Sequence, residues 1–116
     1  MKTSADPRHL KRRELVKALY AESFADQKEF KDQIVAIWNK RGSIDEKIKK
    51  AAPSWPIDKF NKIDLAVLRL AVYELEETEA PPKVIIDEAI ELAREFGSEN
   101  SPSFINGVLG TILNSN

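Results

Sequence analysis

The sequence has no cysteine, one histidine, one methionine and only four glycines in 116 residues. Without cysteine there is no disulfide framework and no thiolate chemistry, and a reducing, cytoplasmic setting is expected. The lone histidine, His9, lies in a basic segment with no carboxylate placed to orient it. Neither a hydrolytic triad nor a histidine metal site is therefore supplied. There is no glycine-rich phosphate loop. No apolar run approaches the length of a membrane span, and the first residues lack the apolar stretch of a signal peptide. Period-two alternation is missing, which leaves no strand signal. The expectation is a non-enzymatic, non-membrane protein with no catalytic residues, metal, cofactor or small-molecule substrate.

What is present is charge and helical periodicity. Charged residues make up 32% and apolar residues 42%, the balance of a globular domain, yet the net charge of −1 hides an asymmetry. Residues 2–17 carry Lys2, Arg8, Lys11, Arg12, Arg13 and Lys17 against Asp6 and Glu14, whereas residues 74–99 carry nine acidic side chains against Lys83 and Arg94. These are either two solvated faces or surfaces for two different partners.

Asp6-Pro7 predicts a cap and first helical position, opening a helix to about Phe24 with Leu15, Val16 and Leu19 on one face. A second helix is expected over 27–40, with Phe30, Ile34, Ile37 and Trp38 as its stripe and Gly42 ending it. Ser43 and Glu46 have capping-box spacing, which predicts a short third helix through Lys50. Residues 61–75 are apolar all round the axis, so this helix should be buried and central. Arg69 within it either snorkels or pairs with a carboxylate such as Glu74 or Glu88. Pro81-Pro82 should start the next helix and Gly97 stop it, with Asp87, Glu88, Glu91 and Glu95 opposite its apolar side. Pro102 opens the last. The class is all-α: a compact bundle of about six helices joined by short loops.

Two features invite binding. Arg8, Lys11 and Arg12 share a face of the first helix, Arg13 widens it, and positive charge there opposes the helix dipole, so local stability does not explain it. Such a patch attracts phosphate in a salt-dependent way. In the last helix Phe104, Ile105, Val108, Leu109, Ile112 and Leu113 fill one half, and Asn106, Gly107, Gly110 and Thr111 the other. Glycines there serve either dense packing or the close approach of another backbone or a nucleic-acid strand.

The stretches "KIDLAVLRLAVYEL", "PPKVIIDEAIELAREFGSENS" and "SFINGVLGTIL" together resemble the C-terminal half of the NusB family of transcription antitermination factors, and "RHLKRRELVKALY" is similar to that family's arginine-rich opening. The resemblance implies one helical domain over 1–116, with a shortened N-terminal sub-bundle over 1–52 and a C-terminal one over 53–116. It implies an RNA-binding regulator of transcription termination and antitermination. The partners would be a boxA-like single-stranded element of ribosomal RNA leader, the ribosomal protein NusE, and the antitermination complex with RNA polymerase. The family's RNA-contacting positions fall on Arg8, Lys11, Arg12, Arg13, Tyr20, Asn100, Ser101, Ser103 and Phe104. Phe104 either stacks on a base or is the first core residue of its helix. Glu74, Glu76, Glu77 and Glu91 are the expected surface for the basic NusE partner.

Three departures or alternatives accompany the resemblance. Asn100 stands where the family commonly has aspartate and Ser103 where it has lysine; the first change removes repulsion from phosphate and the second removes attraction. A helix-sized stretch of longer members is missing between Phe24 and Phe30. The alternatives are a NusB-like accessory domain of an rRNA-modifying enzyme, or a helical protein-interaction module without RNA activity. The absence of a catalytic domain after Asn116 favours a free-standing factor over the first of these.

Overall fold

A computed structural model describes residues 6–22 and 31–115, the side chains of residues 22 and 31 excepted. Phe24 and Phe30 lie outside the described residues. Six α-helices follow in order: α1 Pro7–Glu22, α2 Lys31–Asn39, α3 Arg41–Ala51, α4 Lys62–Glu77, α5 Pro82–Phe96 and α6 Ser101–Asn114, with one 3-10 turn at Ile57–Lys59 before α4.

The helix starts follow local chemistry. Asp6 accepts the Arg8 backbone N–H at 2.8 Å, and Pro7 takes the first helical position, where its missing N–H costs nothing. That backbone bond chiefly holds the Asp6 carboxyl below the usual carboxylate range. Asn61 caps α4 by accepting the Ile63 N–H at 2.8 Å. Pro81 and Pro82 open α5.

The α2–α3 junction differs from expectation. Gly42 does not end α2; it lies in the first turn of α3, and Lys40 alone separates the two helices. The Lys40 carbonyl accepts the Ile44 N–H at 3.1 Å, which draws residues 41–44 into a turn. Ser43 is therefore inside the helix, and its hydroxyl donates back to the Lys40 carbonyl at 3.3 Å instead of capping. Arg41 locks the corner by donating to the Trp38 carbonyl at 2.8 Å, with its guanidinium 4.1 Å from the Trp38 ring centroid.

α4 is the centre of the molecule. Leu65, Ala66, Val67, Leu68, Leu70, Ala71 and Val72 are all buried, and the helix packs against each of the other five. Arg69 pairs with neither Glu74 nor Glu88. It grips Asp45 of α3 with both arms, Nε to Oδ1 at 3.0 Å and Nη2 to Oδ2 at 2.8 Å, and lies 5.2 Å from the Trp38 ring centroid. Trp38 thus sits in contact with two guanidiniums, tying α2, α3 and α4 together.

α6 buries Ile105, Val108 and Leu109 against α5, α3 and α4. Its glycines do not serve packing: a Cβ at Gly107 or Gly110 would meet nothing within 4 Å. Gly97, between α5 and α6, is the opposite case. A Cβ there would lie 2.5 Å from the Ser101 hydroxyl oxygen and 2.8 Å from the Ala93 carbonyl oxygen. Gly107→Ala and Gly110→Ala should therefore each stabilise the fold by up to about 1 kcal/mol through helix propensity. Gly97→Ala should destabilise it by roughly 1–3 kcal/mol through overpacking. Denaturant unfolding of the three variants checks this contrast in sign.

Candidate nucleic-acid interface

A 3.6-residue repeat divides the charges of α1 into two sets. His9, Arg12 and Arg13 turn inward, whereas Arg8 and Lys11 are exposed. The inward set meets three glutamates. His9 is only 2% exposed, and both ring nitrogens are engaged: Nδ1 lies 2.7 Å from Glu88 Oε1 and Nε2 2.5 Å from Glu95 Oε1. A neutral imidazole has one N–H, so an imidazolium is the form that can donate to both carboxylates at once. Burial by itself would lower the His9 pKa; the bonds to Glu88 and Glu95 outweigh it and raise the value above 6.5.

Arg12 Nε donates to both carboxylate oxygens of Glu74 at 3.1 Å, and Nη1 lies 3.8 Å from Glu88 Oε1. Arg13 Nε stands 3.0 Å from Glu95 Oε2, an ion pair out of line for a hydrogen bond, with its guanidinium 5.5 Å from the Phe96 ring centroid. Three cations and three anions thus form a seam between α1 and the α4–α5 pair. The sequence reading of His9 as lacking an orienting carboxylate is overturned, as is the placing of Glu88 on the solvent side of its helix. The signal was present. Ile85, Glu88, Leu92 and Glu95 recur at i, i+3, i+7 and i+10, so Glu88 and Glu95 extend the apolar stripe of α5.

The expected RNA-contacting residues therefore sit in different environments. The Arg8 side chain is 83% exposed, 3.5 Å from Asp6, and Lys11 is exposed. Arg12 and Arg13 are 12% and 31% exposed and held in the seam. Tyr20 packs partly buried against the core. Asn100 and Ser103 are exposed. Ser101 is buried, its hydroxyl accepting the Ser98 N–H at 2.9 Å to hold the α5–α6 corner. Phe104 is half-buried and edge-on to Phe60, centroids 5.2 Å apart at 74°. Of the expected partner surface, Glu74 binds Arg12, Glu76 binds Lys47, Glu77 binds Lys40 at 2.9 Å and Glu91 binds Arg94 at 3.0 Å.

Contacts along the seam set the direction of α1. His9 reaches Glu88, Arg13 reaches Glu95, and the Lys17 ammonium lies 5.9 Å from the Phe96 ring centroid. Moving along α1 from His9 to Lys17, these contacts move along α5 from Glu88 towards Phe96. Arg8 and Lys11 lie roughly 15 Å from Tyr20 at the other end of α1, given a rise of about 1.5 Å per residue. α6 packs on α5, α3 and α4, and α1 on α4 and α2.

Among the described residues, no group of histidine, cysteine and carboxylate side chains is arranged to hold a metal, and no helix is long and apolar enough to cross a membrane. The architecture is that of an all-helical protein that offers charged and aromatic surfaces. Residues 4–114 match the NusB family model, and the chain belongs to the NusB family. The solved structure of T. maritima NusB superposes with a TM-score of 0.82 at 34% identity, covering 100% of this chain and 94% of that one. Transcription antitermination protein NusB of Chloroflexus aggregans is 46% identical over 93 residues, 77% of this chain and 62% of that relative. The protein of the same name from Herpetosiphon aurantiacus is 45% identical over 95 residues, 78% of this chain and 65% of that relative. The aligned part is thus under two thirds of these relatives' length.

The seam makes stability pH-dependent. Because the folded pKa of His9 is raised, its contribution is complete below 6.5 and is lost as pH rises through the folded value. The unfolding midpoint of the protein should fall between pH 6 and pH 9, and His9→Gln should flatten that fall. Glu88→Gln, which leaves His9 and Arg12 without their shared anion, should cost on the order of 3 kcal/mol. Denaturant titration at the two pH values reads all three.

Proposed function

We propose that this protein is a transcription antitermination factor that binds a boxA-like single-stranded RNA together with the ribosomal protein NusE, within the antitermination complex on RNA polymerase. The observation that carries this reading is the family match over residues 4–114, joined to relatives named transcription antitermination proteins. The role is one of binding, not of catalysis.

In this reading Arg8 and Lys11 take phosphates, and Tyr20 and, at the α5–α6 corner, Asn100, Ser103 and Phe104 meet the strand. Arg12, Arg13 and Ser101 serve the same surface from behind by holding α1 and the corner in position. Glu91, with Glu76 and Glu77, offers negative charge to the basic partner. Each is already paired with a lysine or arginine of this chain. Opposite charge across that contact would speed encounter and select the partner more than it would add affinity. Glu74 belongs to the seam and supports that surface indirectly.

Fluorescence anisotropy of a boxA-like RNA, with and without NusE and at two salt concentrations, tests the proposal. The Arg8→Ala, Lys11→Ala double variant should bind more weakly and lose about 1 unit of salt slope per phosphate contact removed, with folding intact. Arg12→Ala should lower the unfolding midpoint as well. Affinity unchanged in the double variant would remove the basic end of α1 from the RNA surface. Charge reversal at Glu77 and Glu91 should slow NusE association; an unchanged rate would remove the acidic side.

A further inference from the structure

Between the loop that precedes α4 and the start of α6 lies an open cleft of about 500 Å³. Trp55, Phe60 and Phe104 supply its aromatic walls, Lys59 and Asn100 also line it, and Asp64 lies among its lining residues. Trp55 is 55% exposed, an unusual position for the largest apolar side chain. Pro53 and Pro56 flank it, and the Trp55 backbone N–H donates to the Ala52 carbonyl at 3.1 Å, which holds its main chain in a turn. Phe60 is buried and fixes Phe104 edge-on. Asp64 is more than nine-tenths buried, and its Oδ1 has no hydrogen-bond partner.

Each feature selects for a ligand group. An exposed indole beside a second ring offers a π-face to a flat aromatic ligand. Burial pushes the Asp64 carboxyl above the usual carboxylate range, against a hydrogen bond with Ser101, and its unpartnered Oδ1 matches a group that brings N–H donors, as base edges do. Lys59, exposed, can neutralise a phosphate outside. Asn100, the residue that precedes α6, lines the cleft with Phe104, and both belong to the proposed RNA surface, so the cleft is continuous with it.

We propose that this cleft receives one unstacked nucleobase of a single-stranded RNA, with Trp55 as its stacking platform and Lys59 on the adjoining phosphate. The inference rests on the RNA-binding reading above and adds to it a base-holding site with Trp55 as the residue that makes it.

The test uses the full chain and a boxA-like single-stranded RNA, with a fully paired duplex as control. Titration with the single strand should quench tryptophan emission, and Trp55→Phe, which leaves Trp38 in its guanidinium clamp, should abolish the quench. Trp55→Ala should weaken single-strand binding by about tenfold or more, while Trp55→Phe keeps most of the affinity because a ring remains. Lys59→Ala should cost less and lower the salt slope. The duplex should neither quench nor respond to Trp55 substitution. Thermal melts of both Trp55 variants should match the parent, since the ring is largely exposed. If Trp55→Ala binds like the parent while the Arg8, Lys11 double variant loses affinity, the cleft proposal is overturned and the RNA reading stands. If the parent protein binds no single strand at either salt concentration, with or without NusE, the RNA reading itself fails and the cleft proposal with it.

Discussion

The seam of His9, Arg12 and Arg13 with Glu74, Glu88 and Glu95 is the interaction on which the arrangement of this molecule depends. α1 rests on α4 through Leu15, Val16, Ala18 and Leu19, but an apolar stripe alone tolerates rotation and sliding. Directional contacts from one buried imidazole to two carboxylates set two turns apart on α5 remove that freedom. They fix which turn of α1 faces Glu88 and Glu95. Replacing a buried ionic cluster by apolar residues is often neutral for stability, so its value here lies in register and orientation.

That constraint also sorts the basic residues. On a free helix, Arg8, Lys11, Arg12 and Arg13 form one patch. Once α1 is docked, the inner pair compensates glutamates and the outer pair faces solvent. The α5–α6 corner is sorted in the same manner: Ser101 closes the turn below Gly97, while Asn100, Ser103 and Phe104 stay within reach of a ligand. Binding residues and the residues that hold them alternate along one short sequence, each defined by the face it occupies.

The fold was legible in the sequence wherever one local rule acted alone. Asp6-Pro7, Asn61, Pro81-Pro82 and Gly97 mark helix boundaries by capping and steric effects within a few residues, and the stretch at 61–75, with apolar residues on every side of its axis, announced the central helix. The junction at Lys40–Ser43 misled because two local preferences competed there. A serine with capping-box spacing lost to a turn drawn in by Ile44 and locked by Arg41 on Trp38. The partners of Arg69 and His9 were illegible for another reason: Asp45 and Glu88 are 24 and 79 residues distant, and pairing over such separations is decided by docking. Glu88 was nonetheless detectable as a carboxylate inside an apolar stripe, a pattern that calls for a buried cation. The open glycines of α6 were ambiguous in sequence because both a packed and an exposed small-residue face read alike.

Because His9 is the only histidine, nuclear magnetic resonance of its ring tests the central claim directly. The seam predicts a titration midpoint above 6.5, with both ring nitrogens protonated below it. A midpoint at or below the ordinary value would contradict it.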